Sequence, residues 1–275
     1  MQKVTFTTSD NVDLYVEVHG SVGQPLMIWS HGFTGSGRNW RSSMRQFPDF
    51  CHVIYDQRGH ARSAAPELPE AYTHERLALD VIELFDFCQN NLAMNAPKLF
   101  LAGLSLGAMV TYKVLELKPS LLDAAIISSL PDPTAKESIS GKAHDFAEAI
   151  LSQGLEAAGD IYVWGSDSGM SSKDAALVKQ GFLEHASHSL AYILQQTLSQ
   201  LPSSEDMASS LLKTKTPVLV LAGISDENAL SYSGRVMASL IGEKPNVNYV
   251  TFAGGHLLNL TSNKLFCEYV GRFLK

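Results

Sequence analysis

Apolar and polar residues alternate with period two near the start of the chain, at Val4 and Phe6 and then at Leu14, Val16 and Val18 across the polar stretch "TTSDN". Such alternation predicts two strands joined by a short turn, each burying one face. Further on the pattern changes. "PLMIWSHG" (25–32), "CHVIYDQRGH" (51–60), "KLFLAG" (98–103), "AAIISS" (124–129), "PVLVLAG" (217–223) and "VNYVTFAG" (247–254) are built on short apolar runs, as expected of strands covered on both faces. Between them the period lengthens to that of a helix. Residues 73–90 repeat apolar side chains at Leu77, Val81, Leu84 or Phe85, and Cys88, with Thr73 placed to cap the start and Glu75 in the first turn. Residues 36–47, residues 105–117 ahead of Pro119, and a final stretch capped by Ser262 with Phe266, Val270 and Phe273 on one face complete the helices. Strand and helix in alternation predict an α/β protein with a mostly parallel, doubly wound sheet.

Residues 131–212 break the alternation. They open on "PDP", carry no strand pattern, and contain short helical segments such as "AHDFAEAILSQGLEA" and "SKDAALVKQGFLEHA". About eighty residues are too many for a simple connection. The expected layout is a core of residues 1–130 and 213–275, with 131–212 inserted as a helical lid (cap) over one edge of the sheet.

Charge and cysteine content narrow the function class. The 28 acidic against 21 basic residues give a net charge of −7, and the basic residues form no block, which disfavours nucleic acid and anionic lipid as partners. Cys51, Cys88 and Cys267 are far apart and lack C-x-x-C spacing, so buried free thiols are expected rather than a disulfide framework or a zinc site. No basic-then-apolar leader opens the chain, and no apolar run reaches the ~20 residues a membrane span needs. The expectation is a cytoplasmic protein, without cofactor or metal, acting on a small molecule.

The chemistry is carried by "FLAGLSLGAMV" (100–110), in which Ser105 stands between Gly103 and Gly107 where a buried strand turns into a helix. G-x-S-x-G alone is weak evidence; in strand–turn–helix context it is the pattern of a nucleophile elbow. A β-carbon at either glycine would collide with the neighbouring strand or helix. A serine hydroxyl needs a base, and ligands of open α/β sheets bind beyond the carboxyl ends of the strands. His256, in "TFAGGH", occupies such an end, as does His31; His31 is expected to tie down its own loop. Asp226, in "GISDEN", is the favoured partner of the imidazole, and Asp132, in "SSLPDP", competes with it. Backbone N–H groups of Phe33, in "SHGFTGSG", and of Leu106 are placed to form an oxyanion hole. The "DQRGH" charges are expected to hold their loop.

"HGFTGS", "YDQRGHARS", "GLSLG", "GISD" and "GGH" occur in the order in which the α/β-hydrolase superfamily carries such motifs. The chain resembles that superfamily over essentially its whole length, and within it the small esterases and the enol-lactonase-like and cofactor-free haloperoxidase-like members. The resemblance implies Ser105 as nucleophile, His256 as base, Asp226 as acid, and Phe33 and Leu106 as oxyanion donors. It implies hydrolysis of a carboxylic ester or lactone with a small-to-medium hydrophobic group. Carbon–carbon hydrolase, lyase or perhydrolase chemistry on the same triad, or a slowly turning-over ligand receptor, are the alternatives. Serine at the elbow argues against haloalkane dehalogenases and epoxide hydrolases, which place aspartate there. Two departures from the pattern are Ala108 and Ala61 where glycine is usual.

Overall fold

Eight strands hydrogen-bond into one sheet in the order β1-β2-β4-β3-β5-β6-β7-β8. The computed structural model describes residues 1–165, 172–242 and 246–275. The strands are β1 (Gln2–Thr7), β2 (Asp13–His19), β3 (Leu26–Ser30), β4 (Cys51–Tyr55), β5 (Leu99–Leu104), β6 (Ala124–Ser128), β7 (Val218–Gly223) and β8 (Val247–Phe252). β1 and β2 form the antiparallel hairpin foreseen from their alternation, with Val4 opposite Val16 and Phe6 opposite Leu14. β2 pairs antiparallel with β4, and from β4 to β8 every pairing is parallel.

Period-two geometry sorts each buried strand between two cores. Ile28, Val53, Leu101, Ile127 and Val220 face one side, where they meet Leu77, Val81 and Phe85 of α2 (His74–Asn90), Met109 and Val110 of α3 (Leu106–Leu117), and Tyr232 and Val236 of α9 (Glu227–Ala238). Met27, Trp29, Ile54, Ala102, Ile126 and Leu221 face the other, against Met44 of α1 (Arg41–Met44), and Phe266 and Val270 of α11 (Asn263–Phe273). Helices on both faces are what apolar runs without alternation required. Between β6 and β7 lie α4 (Ala143–Gln153), α5 (Leu155–Tyr162), α6 (Ser172–Phe182), α7 (Ser187–Ile193), which runs on into a π-helical stretch Leu194–Leu198, and α8 (Ser204–Leu211); a one-turn α10 (Leu258–Thr261) precedes α11. Among the described residues no strand occurs between β6 and β7, and no helix is long and apolar enough to cross a membrane.

Two local expectations need correcting. Residues 36–47 form a 3₁₀ turn, Gly37–Trp40, followed by the one-turn α1, because Trp40 and Met44 bury their side chains in the core and tertiary packing overrides a longer helix. Ser262 stands at the start of α11, but its hydroxyl donates to the Ala253 carbonyl (3.0 Å) instead of capping a helix N–H. Thr73 does cap α2, accepting from the Arg76 N–H. All three cysteines are free and buried.

Several histidines are buried as neutral rings. His52 accepts from the Trp29 indole at one nitrogen (3.1 Å) and meets the Phe47 carbonyl with the other (2.8 Å), and burial brings its pKa down to about 4. Burial brings His31 and His74 down to about 4 as well. Each binds a proton near pH 6.5 once unfolded, so between about pH 6.5 and 4 the unfolded chain takes up protons that the native one refuses. Stability should therefore fall with falling pH, by about 1.4 kcal/mol per pH unit for each fully linked histidine. Glu17, held at about 2 by its hydrogen bonds to His19, Tyr15 and two arginines against the opposing effect of burial, contributes its loss only below the ordinary carboxylate range. Urea unfolding at pH 7 and pH 5 checks this; equal stabilities at the two would contradict it.

Candidate active site

β5 ends at Leu104, and the next residue carries the strain of the fold. Ser105 has φ +55° and ψ −112°, a region that costs a non-glycine residue on the order of 1–3 kcal/mol. It is held there from both sides: its N–H donates to the Ser128 carbonyl (2.9 Å) and its carbonyl accepts from Met109 (3.1 Å). The flanking glycines are obligatory. A β-carbon on Gly103 would stand 1.9 Å from the Gly107 carbonyl oxygen, and one on Gly107 would stand 2.1 Å from that of Ser30. Strand β3, strand β5 and the first turn of α3 can approach this closely only without those side chains, and the approach thrusts Ser105 out beyond the sheet.

His256 follows β8 and Asp226 follows β7, at the same carboxyl rim. Their loops meet because Gly223 has no side chain: a β-carbon there would lie 2.3 Å from the Gly254 carbonyl. His256 Nδ1 is 2.7 Å from Asp226 Oδ2. The other carboxylate oxygen accepts from the Ala229 N–H (3.3 Å) as the N-cap of α9. One oxygen is thus fixed by the helix, the other by the ring. The Asp226 side chain is 9% exposed and that of His256 44%, so the ring is reachable while its acceptor is shielded. With the proton on Nδ1, Nε2 is left as the acceptor.

Ser105, His256, Asp226 and Phe33 all line one cavity of about 250 Å³. Among the described residues no hydrogen bond joins the Ser105 hydroxyl to the imidazole; in unliganded sites such bonds are often long and close only around substrate. Asp132 lines the same cavity but is engaged elsewhere. Its Oδ1 accepts from the N–H and hydroxyl of Thr134 (both 2.8 Å) and from Arg235 (2.8 Å). Burial raises its pKa, yet these bonds win and hold it below the usual carboxylate range.

The Phe33 N–H belongs to the peptide whose carbonyl is Gly32 O. That oxygen accepts from His31 Nδ1–H (2.8 Å) and from the Gly35 N–H (3.0 Å). In a planar trans peptide, fixing the carbonyl fixes the opposed N–H. His31 Nε2 in turn accepts from the Gln57 N–H (2.9 Å). A neutral ring with one donor and one acceptor fits these partners, and burial keeps it neutral. Leu106 opens α3, where N–H groups are unpaired and the helix dipole favours negative charge. Neither the Phe33 nor the Leu106 N–H is consumed by a backbone bond among the described residues. Two donors, a hydroxyl and an imidazole backed by a carboxylate are the parts that acyl transfer requires.

The "DQRGH" loop is structural in its contacts. Arg58, fully buried, spans Asp80 (2.6 and 2.7 Å) and Asp10 (2.8 and 2.9 Å). Asp56 accepts from the Gly37 N–H (2.8 Å) and from Arg62. Ala61 takes φ +44°, the conformation for which glycine is usual. Its N–H donates to Nδ1 of His185 (2.9 Å), whose Nε2 reaches the Thr34 carbonyl (3.0 Å). Sequence reading missed His185, and no local pattern marks it: its two partners lie 124 and 151 residues away. Of the helical segments' aromatic residues, Phe146 stacks on Tyr162 and Phe182 (4.7 and 6.1 Å), and Trp164 packs on Phe182. None of them lines the Ser105 cavity, whose apolar wall comes instead from Leu130, Pro131, Ile139 and Leu198. Among the described residues no group of three His, Cys, Asp or Glu side chains could hold a metal ion.

This geometry has a counterpart in sequence. Residues 27–268 match the model of the alpha/beta hydrolase family. The chain belongs to that family. A putative 2-succinyl-6-hydroxy-2,4-cyclohexadiene-1-carboxylate synthase of Bacillus subtilis is 26% identical to it, over 100% of this chain and 99% of that protein. A putative carbamate hydrolase, RutD, of Pseudomonas syringae is 25% identical over 91% of this chain and 93% of its own. Among solved structures, a hydrolase from Pseudomonas aeruginosa superposes with a TM-score of 0.81 at 23% identity, covering 99% of this chain and 98% of that one. The α/β-hydrolase fold expected from the motifs is therefore the fold of this family member, and family membership supports hydrolase activity.

Proposed function

We propose that the protein is a serine hydrolase of carboxylic esters or lactones, with Ser105 as nucleophile, His256 as general base and acid, Asp226 as its orienting carboxylate, and the N–H groups of Phe33 and Leu106 as the oxyanion hole. The observation that carries this reading is the convergence on one cavity of a strained, half-buried Ser105 and an imidazole bonded through Nδ1 to Asp226. Ser105 Oγ attacks the carbonyl carbon while Nε2 takes its proton. The tetrahedral oxyanion is held by the two N–H groups, and the imidazolium gives its proton to the departing alkoxide as the C–O bond breaks. Water, deprotonated by the same nitrogen, then cleaves the acyl-serine and regenerates the hydroxyl. Residues 131–212, as an inserted lid between β6 and β7, would supply the Ile139 and Leu198 wall. Turnover of short p-nitrophenyl esters and of lactones, with Ser105→Ala as blank, tests the reading.

The relatives favour a second reading, carbamate cleavage, on the same residues. The lining speaks against a polyanionic substrate: Asp132 and Asp226 contribute carboxylates to the cavity, and no Lys or Arg is among its described lining residues. Adding an aryl carbamate to the screen separates the two readings.

His31 provides an independent check on the oxyanion hole. His31→Ala frees the Gly32 carbonyl and loosens the aim of the Phe33 N–H without removing it. The expected loss in kcat is about 10- to 100-fold, below the ~100- to 1,000-fold typical of deleting a donor outright, with KM changed much less. Steady-state kinetics beside a thermal melt measure this, and an unchanged kcat in a folded variant would remove His31 from that role.

A further inference from the structure

The carbonyl carbon attacked by Ser105 carries two substituents, and the cavity described above takes one. A second cavity of about 250 Å³ shares Phe33 as a wall with the first. Gly32 and Leu104 line it. A β-carbon on Gly32 would be 3.5 Å from the Ser105 β-carbon and 3.4 Å from the Leu104 carbonyl, so this cavity adjoins the serine. The Phe33 ring between the two meets Phe146 and His60 edge-on, at 6.4 and 6.3 Å, and is held as a partition.

Proton transfer decides which substituent goes where. The leaving oxygen must receive its proton from the imidazole nitrogen that took it from Ser105, so the leaving group lies on the imidazole side. His256 lines the first cavity and is absent from the described lining of the second. The acyl chain, pointing away from the ring at a tetrahedral carbon, is left the space beyond Phe33. Both linings mix polar and apolar groups: Ser138 and Asn228 stand beside the apolar wall of the first cavity, and Asn39 and Asn259 stand beside Val178 and Leu260 in the second. We infer that the cavity beyond Phe33 is the acyl subsite, and that it takes a small-to-medium apolar acid. The size follows from a volume just under the ~300–1,000 Å³ of pockets for drug-sized ligands. This rests on the serine-hydrolase reading.

Gly181 of α6 gives a clean test. It lines the second cavity as well as a surface cavity beside Arg38 and Glu184, and a β-carbon there would meet nothing within 4 Å, so Gly181→Leu has room to begin its side chain and suits a helix better than glycine. Against p-nitrophenyl esters of C2 to C8 acids, the variant should lower the octanoate-to-acetate ratio of kcat/KM by about tenfold or more, a pocket loss of a few methylenes. Its preference between glycerol and butyl acetates should stay within about twofold of wild type. Val178→Phe should act in the same direction, and Ile139→Trp, in the first cavity, should shift the alcohol preference and spare the acyl one. A folded Gly181→Leu that shifts the alcohol preference, or neither, overturns the assignment. Failure of the parent reading is visible separately, as wild-type protein without ester turnover or Ser105→Ala with it, and takes this inference down too.

Discussion

Replacing Ser105 with alanine is expected to lower kcat on any ester the protein cleaves by roughly 10⁴- to 10⁶-fold, the scale seen when a triad serine is lost, while leaving the fold intact. The second half of this expectation is the informative one. The Ser105 hydroxyl has no hydrogen-bond partner among the described residues, so removing it leaves no buried group unpaired, and alanine keeps the same β-carbon and hence the same backbone strain at φ +55°. The change in unfolding free energy should stay within about 0.5 kcal/mol. Ser105→Gly sharpens the argument. Glycine relieves a strain of about 1–3 kcal/mol and gives back about 0.4–1 kcal/mol through the freer unfolded chain, so this variant should melt above wild type while being equally inactive. Turnover and thermal unfolding of the three proteins decide the matter. Ser105→Ala with wild-type turnover ends the nucleophile assignment; Ser105→Gly that melts lower shows that the elbow is not where the fold stores strain.

What was legible in the sequence was what is local. The runs at 25–32, 98–103 and 217–223 became β3, β5 and β7 because a strand buried on both faces has no polar position to spare. Gly103 and Gly107 announced the elbow because interatomic contacts of about 2 Å exclude any side chain there. The order Ser105, Asp226, His256 could be read because each stands a few residues past a strand end. What was illegible depends on contacts across the chain. That Arg235 of α9 would claim Asp132 could not be foreseen from "SSLPDP", nor that His185 would pin the loops of Thr34 and Ala61. Within 131–212, Phe146 and Phe182 turn onto one another and it is the irregular stretch around Ile139 that meets the cavity, a division that no helical spacing announces. Ser262 shows the same limit in miniature, its hydroxyl drawn to Ala253 by tertiary proximity.

The rivalry between the two aspartates yields the other large effect. Asp226→Asn should reduce kcat by about 10³- to 10⁴-fold, the cost known for a triad acid turned amide. An asparagine amide facing His256 Nδ1 at 2.7 Å donates where the carboxylate accepted, which drives the ring proton to Nε2 and leaves that nitrogen unable to take one from Ser105. Stability should change little, since asparagine is as good an N-cap as aspartate and can still accept from the Ala229 N–H that closes the first turn of α9. Asp132→Asn weakens an ion pair to Arg235, whose side chain is 39% exposed, at a cost of about 1 kcal/mol or less, and should leave kcat within about threefold, because Asp132 bonds to Thr134 and Arg235 and not to the imidazole. The pair of variants has to be read together: kinetics for the first must collapse without a fall in melting temperature, and for the second must not. The opposite outcome would mean that His256 swings to the end of β6 during turnover, with Asp226 serving only as a helix cap.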